Sequence, residues 1–274
     1  MLLSQNNRIN KKFSSLDSKG EKALICYIVA GYPSLLLSEK IVSSLVLGGA
    51  DIVEVGIPFS DPIADGPTIQ KASLDALTQG ITVDKCLQLS HRLRMKFPEL
   101  PILAMTYSNI PFKAGINNFL IKLKMAGIDG LILPDMAIEE SESYARCARL
   151  LDLATVFLVS PNTGNDRIKK IINYSSGFTY VVSVLGTTGA RTSISKYSIT
   201  AIKKIRRIAG PNKKIGVGFG ISRPSHVRSM LDAGADAVIV GSAIVDKINQ
   251  TSSNSYLEND LKLYARTMKR PCMR

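Results

Sequence analysis

Gly234-Ala235-Asp236-Ala237-Val238-Ile239-Val240-Gly241 is the stretch on which the fold turns, because the chain contains it in two further versions. Gly49-Ala50-Asp51-Ile52-Val53-Glu54 and Gly127-Ile128-Asp129-Gly130-Leu131-Ile132-Leu133-Pro134-Asp135 keep the same order of glycine, short polar turn and apolar run. In each unit the glycine is expected to end a helix in the left-handed region, and the apolar run to begin a buried strand.

Working outward from these units, short apolar runs rich in β-branched residues recur along the whole chain. The candidate strands are Leu24 to Val29, Ile52 to Val55, Ile102 to Thr106, Gly130 to Leu133, Thr155 to Val159, Thr179 to Val182, Ile215 to Gly218 and Ala237 to Val240. They are nearly continuously apolar rather than alternating, as parallel strands covered on both faces are. Between them, Ser38 to Leu47, Val83 to Phe97, Asn118 to Met125, Glu139 to Leu151, Ile199 to Ile208 and Ser225 to Asp232 carry apolar residues at helical spacing. A repeated helix-to-strand unit with eight strands predicts an α/β fold, a single (β/α)8 TIM barrel. A doubly wound open sheet would usually show GxGxxG after its first strand, and that motif is missing there. The expectation is one domain over residues 1–274 with a barrel core from about 20 to 250. Ile9, Phe13 and Leu16 form an apolar stripe at one end, and Leu257, Leu261, Tyr264, Ala265 and Met268 form another beyond the polar spacer Gln250 to Ser255. Both predict extra terminal helices packed on the barrel.

With 274 residues, 45% of them hydrophobic, and a mean hydropathy of +0.12, the chain can bury a large core, which excludes disordered and collagen-like classes. No apolar run reaches membrane-spanning length and Met1 to Ser4 is too short for a signal-peptide core, so a soluble, intracellular protein is expected. Cys26, Cys86, Cys147 and Cys272 are widely spaced, and no CxxC or neighbouring histidine completes a metal site. His91 and His226 are the only histidines; both read as surface residues, which leaves Ser-His-Asp and Cys-His mechanisms without support. The formal charge of +13 raises the question of nucleic acid. Its densest groups, Lys203, Lys204, Arg206 and Arg207 with Lys213 and Lys214, are patterned onto solvent faces, and no basic motif is interleaved with aromatic residues. Neither nucleic acid nor membrane is expected as a partner.

Barrel active sites gather at the carboxyl ends of the strands. Glu54 stands inside the run Ile52-Val53-Glu54-Val55-Gly56, where a carboxylate is costly unless it has a function or a partner such as a buried arginine. The connection after it, from Gly56 to Pro67, holds three prolines, at 58, 62 and 67, and the aspartates Asp61 and Asp65, and reads as a functional βα-loop. Gly216-Val217-Gly218-Phe219-Gly220-Ile221-Ser222, Gly241-Ser242-Ala243 and Gly186-Thr187-Thr188-Gly189 lie at or after the last three strands, where backbone N–H groups and a helix amino end commonly hold phosphate.

The stretch from Glu54 to Gln70, EVGIPFSDPIADGPTIQ, resembles the signature of the tryptophan synthase alpha subunit. Ala30-Gly31-Tyr32-Pro33, Leu133-Pro134-Asp135, Gly177 to Gly189, Gly216 to Ser222 and Gly241 to Val245 extend the resemblance in order over residues 9–268. The resemblance implies retro-aldol cleavage of indole-3-glycerol phosphate to indole and glyceraldehyde 3-phosphate, with Glu54 as general acid and base and Asp65 stabilising charge at the indole N–H. It implies Tyr180 beside Glu54, Met105, Leu158 and Phe219 around the indole, and Gly189, Gly220, Gly241 and Ser242 on the phosphate, with Thr188 bridging toward the loop that carries Asp65. It further implies an alpha-beta-beta-alpha tetramer in which a beta subunit uses pyridoxal phosphate, no cofactor or metal in this chain, and partner contacts at Pro58, Asp61 and Asn109. Ile, Lys and Asn in freely varying positions point to an AT-rich genome, so the compartment expected from composition is the cytoplasm, or the plastid stroma if the gene is plastid-encoded. Departures are Tyr32 in place of Asp, Cys26 in place of proline and Thr187 in place of valine. Two rivals stay open: a stand-alone indole-3-glycerol-phosphate lyase, separable by full activity without a partner, and a non-catalytic phosphate-metabolite sensor, separable by an inert Glu54.

Overall fold

The computed structural model describes residues 7–182, 196–218, 220–251 and 254–273. Its strands, all paired in parallel, are β1 (Ala23–Val29), β2 (Ile52–Gly56), β3 (Ile102–Met105), β4 (Gly130–Ile132), β5 (Ala154–Val156), β6 (Leu158–Val159), β7 (Thr179–Val182), β8 (Ile215–Gly218) and β9 (Ala237–Val240). The helices are α1 (Arg8–Ser18), α2 (Leu35–Leu47), α3 (Pro67–Thr78), α4 (Val83–Lys96), α5 (Asn109–Ala114), α6 (Ile116–Met125), α7 (Glu142–Leu150), α8 (Asn165–Tyr174), α9 (Lys196–Ala209), α10 (Pro224–Asp232), α11 (Ser242–Gln250) and α12 (Asn254–Lys269).

The sheet order β5-β4-β3-β2-β1-β9-β8-β7-β6 is a barrel, because its two end strands are consecutive pieces of one predicted strand. β5 pairs with β4 and β6 with β7, and the ladder passes from one side to the other across Phe157. Eight strands were therefore expected and eight positions around the barrel are filled, one of them broken. The helix over α8 and the short helices α5 and α11 had no counterpart in the sequence reading, and α3 begins inside a segment read as loop.

The repeated unit has one structural job at the amino ends of the strands. Gly49, Gly127 and Gly234 all have positive φ, as the helix-ending role requires. The aspartate two residues on accepts a backbone N–H at the start of the adjacent strand: Leu24 N to Asp51 at 2.8 Å, Ile102 N to Asp129 at 2.8 Å, Ile215 N to Asp236 at 3.0 Å. Each of these buried carboxylates is then paired with cations. Lys269 reaches Asp51 at 2.8 Å, Arg94 and Arg8 reach Asp129 at 2.7 and 3.0 Å, and Arg206 and Lys22 reach Asp236. Arg94 and Arg206 also donate to the carbonyls of Gly127 and Gly234, so each arginine closes the turn whose aspartate it neutralises. Arg206 is thus a structural residue, where the sequence had placed it on a solvent face.

Both terminal stripes pack as expected. Ile9, Phe13 and Leu16 from α1 and Leu257, Leu261, Ala265 and Met268 from α12 join the same buried cluster as the strands. His226 differs from its surface reading: it is buried at the start of α10 and accepts a hydrogen bond from Ser222 N at 3.4 Å. Among the described residues no helix is long and apolar enough to cross a membrane.

Candidate active site

At the carboxyl ends of the strands, the barrel opens into a small pocket. Tyr27, Glu54, Asp65, Met105, Tyr180, Gly220, Gly241 and Ser242 line it, together with Ile69, Ile221 and Ile239. Glu54 is supplied by β2 and is 1% exposed. Among the described residues its Oε2 has no hydrogen-bond partner and no arginine pairs with it, unlike the arginine-paired structural glutamate that its position in an apolar run also allowed. Burial, reinforced by Asp65, pushes the Glu54 carboxyl up to about 8.

Asp65 comes from the βα-loop, just before α3, which starts with Gly66 as N-cap and Pro67 in its first turn. Tyr107 fixes it: the phenol donates to Asp65 Oδ2 at 2.9 Å while accepting from Ala64 N at 3.0 Å. Phe59 stacks on the Tyr107 ring at 5.2 Å, and Gln70 donates to the Asp65 carbonyl at 2.9 Å. Burial raises the Asp65 carboxyl to about 6, and the Tyr107 hydrogen bond holds it below where burial alone would take it. At neutral pH the pocket therefore holds one protonated carboxyl and one ionised carboxylate, an arrangement suited to paired acid-base work.

Two strand positions round from Glu54, Gly241 follows β9 as the N-cap of α11 and lines the pocket with Ser242. A helix amino end beside Gly220, where the backbone has positive φ and open space around it, forms an anion cradle. Among the described residues no group of three His, Cys, Asp or Glu side chains is placed to hold a metal ion.

A family model described as tryptophan synthase alpha chain matches residues 13–273. The chain belongs to the tryptophan synthase alpha chain family. The tryptophan synthase alpha chain of Methanothermobacter thermautotrophicus is 45% identical over 227 residues, 83% of each chain. Tryptophan synthase of Mycobacterium tuberculosis superposes with a TM-score of 0.88 at 30% identity, covering 98% of this chain and 99% of that one. The tryptophan synthase α2β2 complex of Pyrococcus furiosus gives 0.83 at 36% identity, covering 90% and 98%.

Of the residues that the resemblance to tryptophan synthase alpha chains had singled out, the pocket brings together Glu54, Asp65, Met105, Tyr180, Gly220, Gly241 and Ser242. Thr188, Gly189 and Phe219, like Gly186 and Thr187, lie outside the described residues. Leu158 lines a separate cavity with Asp135, Phe157, Ser160 and Arg167. It lies just past the break at Phe157, where strand alternation no longer predicts which face a residue presents. Pro58 is buried in the chain, while Asp61 and Asn109 are exposed. Sequence reasoning missed Tyr27 and Tyr107. Tyrosines at or just past strand ends carry a polar tip into an apolar setting, and that was the available signal.

Proposed function

We propose that this chain is the alpha subunit of tryptophan synthase and cleaves indole-3-glycerol phosphate to indole and glyceraldehyde 3-phosphate. The observation that carries this reading is buried Glu54, its Oε2 without a hydrogen-bond partner among the described residues, beside Asp65 in a pocket also lined by the amino end of α11. Glu54 begins protonated, as its raised pKa favours at neutral pH, and gives its proton to indole C3. The positive charge that develops on the indole N–H is stabilised by ionised Asp65. Glu54, now a carboxylate, takes the proton of the chain hydroxyl next to C3. The bond between C3 and the chain breaks, its electron pair restores neutral indole, and the hydroxyl oxygen becomes that of the aldehyde. Glu54 ends protonated, ready for the next turn.

Met105, Tyr180, Ile69 and Ile239 offer the apolar walls for the indole, with Phe219 assigned beside them. We assign the phosphate to Gly220, Gly241 and Ser242 together with Gly189, and to Thr188 a bridge toward the loop that carries Asp65. The cleavage needs only proton transfers and charge stabilisation, so we assign no cofactor to this chain and pyridoxal phosphate to the beta subunit. Exposed Asp61 and Asn109 share the rim of the site with Ile63 and Phe112, which are 74% and 57% exposed, and this mixed polar and apolar rim supports docking of that subunit. We assign the reaction to the cytoplasm, or to the plastid stroma if the gene is plastid-encoded. The test is Glu54→Gln, which keeps shape but cannot relay protons: turnover should fall by at least about a thousandfold while substrate still binds. A loss under about tenfold would remove Glu54 from the mechanism.

A further inference from the structure

Among the polar side chains that line the pocket, Glu54, Asp65, Tyr180 and Ser242 have roles in the cleavage as proposed, and Tyr27 has none. It stands opposite Glu54 in the β1–β2 register, so both side chains project from the same inner face of the barrel. Its ring crosses the two halves of the site. A side chain on Gly241, in the anion cradle, would meet the ring at 3.2 Å, and a side chain on Gly56, at the end of the strand carrying Glu54, would collide with the hydroxyl. Gly56 thus keeps open the space that the Tyr27 hydroxyl fills. The side chain therefore runs from the cradle at Gly241, where its near ring atoms lie, to the end of the strand that carries Glu54, where its hydroxyl lies on the side of the substrate chain next to the acid-base carboxyl. Burial, with the nearby Asp65 and Glu54 carboxyls, raises its pKa well above that of an ordinary phenol, so it remains a proton donor across the working pH range.

We propose that Tyr27 is a further substrate-aligning residue, whose hydroxyl donates a hydrogen bond to the chain oxygen that loses its proton to Glu54. The inference rests on the cleavage reaction proposed above. As that proton leaves, the chain oxygen gains negative character before it becomes the aldehyde oxygen, and a fixed donor binds it more strongly in the transition state than in the ground state. Tyr27 transfers no proton itself; the proton goes to Glu54 and the electron pair to the indole ring.

Tyr27→Phe keeps the ring that packs over Gly241 and removes only the donor. Steady-state cleavage by this variant should show kcat lowered about 10- to 100-fold, with KM within about threefold of wild type. Affinity for glycerol 3-phosphate, used as a probe of the cradle, should be unchanged. A kcat within about twofold of wild type overturns the proposal. So does a raised KM with unchanged kcat, which would make the hydroxyl a ground-state contact only. If wild-type protein itself, assayed with a beta subunit, releases no indole, the cleavage reading falls and this inference with it. A cleaving wild type with a fully active Tyr27→Phe variant removes the Tyr27 role alone.

Discussion

Replacing Glu54 by glutamine should abolish turnover and, at the same time, change how the stability of the protein depends on pH. In the folded chain the carboxyl titrates at about 8 against an ordinary 4.5, because burial and Asp65 disfavour its charged form. A raised folded pKa means that the unfolded chain holds fewer protons than the folded one between those two values, so wild-type stability falls as pH rises through that interval and levels off above 8. Each pH unit inside the interval costs about 1.4 kcal/mol, and from pH 5 to pH 7.5 the sum is about 3 kcal/mol, a sizeable share of the total stability of a domain. The glutamine variant has no such titration. Its amide changes stability by an amount that does not vary with pH, so the slope of the difference carries the information. Urea unfolding of both proteins at half-unit steps from pH 5 to 8.5 should show the variant gaining about 3 kcal/mol on wild type by pH 7.5, with no further gain above pH 8. A difference constant to within about 1 kcal/mol over that range would show that Glu54 titrates as an ordinary glutamate. The acid-first mechanism would then lose its basis.

The two carboxyls also predict a bell-shaped pH profile of kcat/KM, with an acid limb near 6 from Asp65 and an alkaline limb near 8 from Glu54. Tyr107→Phe removes the hydrogen bond that lowers the Asp65 pKa, so its acid limb should move up by about one unit; an unmoved limb would show that Tyr107 serves only packing. Ser242→Asp sets a carboxylate against the phosphate dianion and should weaken substrate and glyceraldehyde 3-phosphate together, which competition by inorganic phosphate would report. Adding a cognate beta subunit should raise the turnover number rather than only the affinity, because the loop that carries Asp65 also carries the rim residues Asp61 and Ile63. Equal turnover with and without the partner would favour a stand-alone lyase.

The periodicity of the chain determined its architecture. Three copies of a glycine-turn-strand unit and eight apolar runs can bury their faces economically in one way, and each aspartate of the unit proved to receive the backbone N–H of a neighbouring strand start. Glu54 was legible for a similar reason, since a carboxylate in an otherwise apolar strand has no cheap structural explanation. The loop motif around Asp65 and the glycines of the anion cradle were legible because such backbone demands leave few residue choices. Only the tertiary structure decided what those groups face. Tyr107 and Asp65 are 42 residues apart and meet because one follows β3 and the other precedes α3, a meeting that no local pattern encodes. Arg206 looked like one more solvated cation until its turn and Asp236 were brought beneath it. Leu158 and Tyr27 mark the same limit within strands: where every residue of a run is apolar or aromatic, alternation leaves no trace in the sequence, and closure of the barrel alone fixes which side chains point into the pocket.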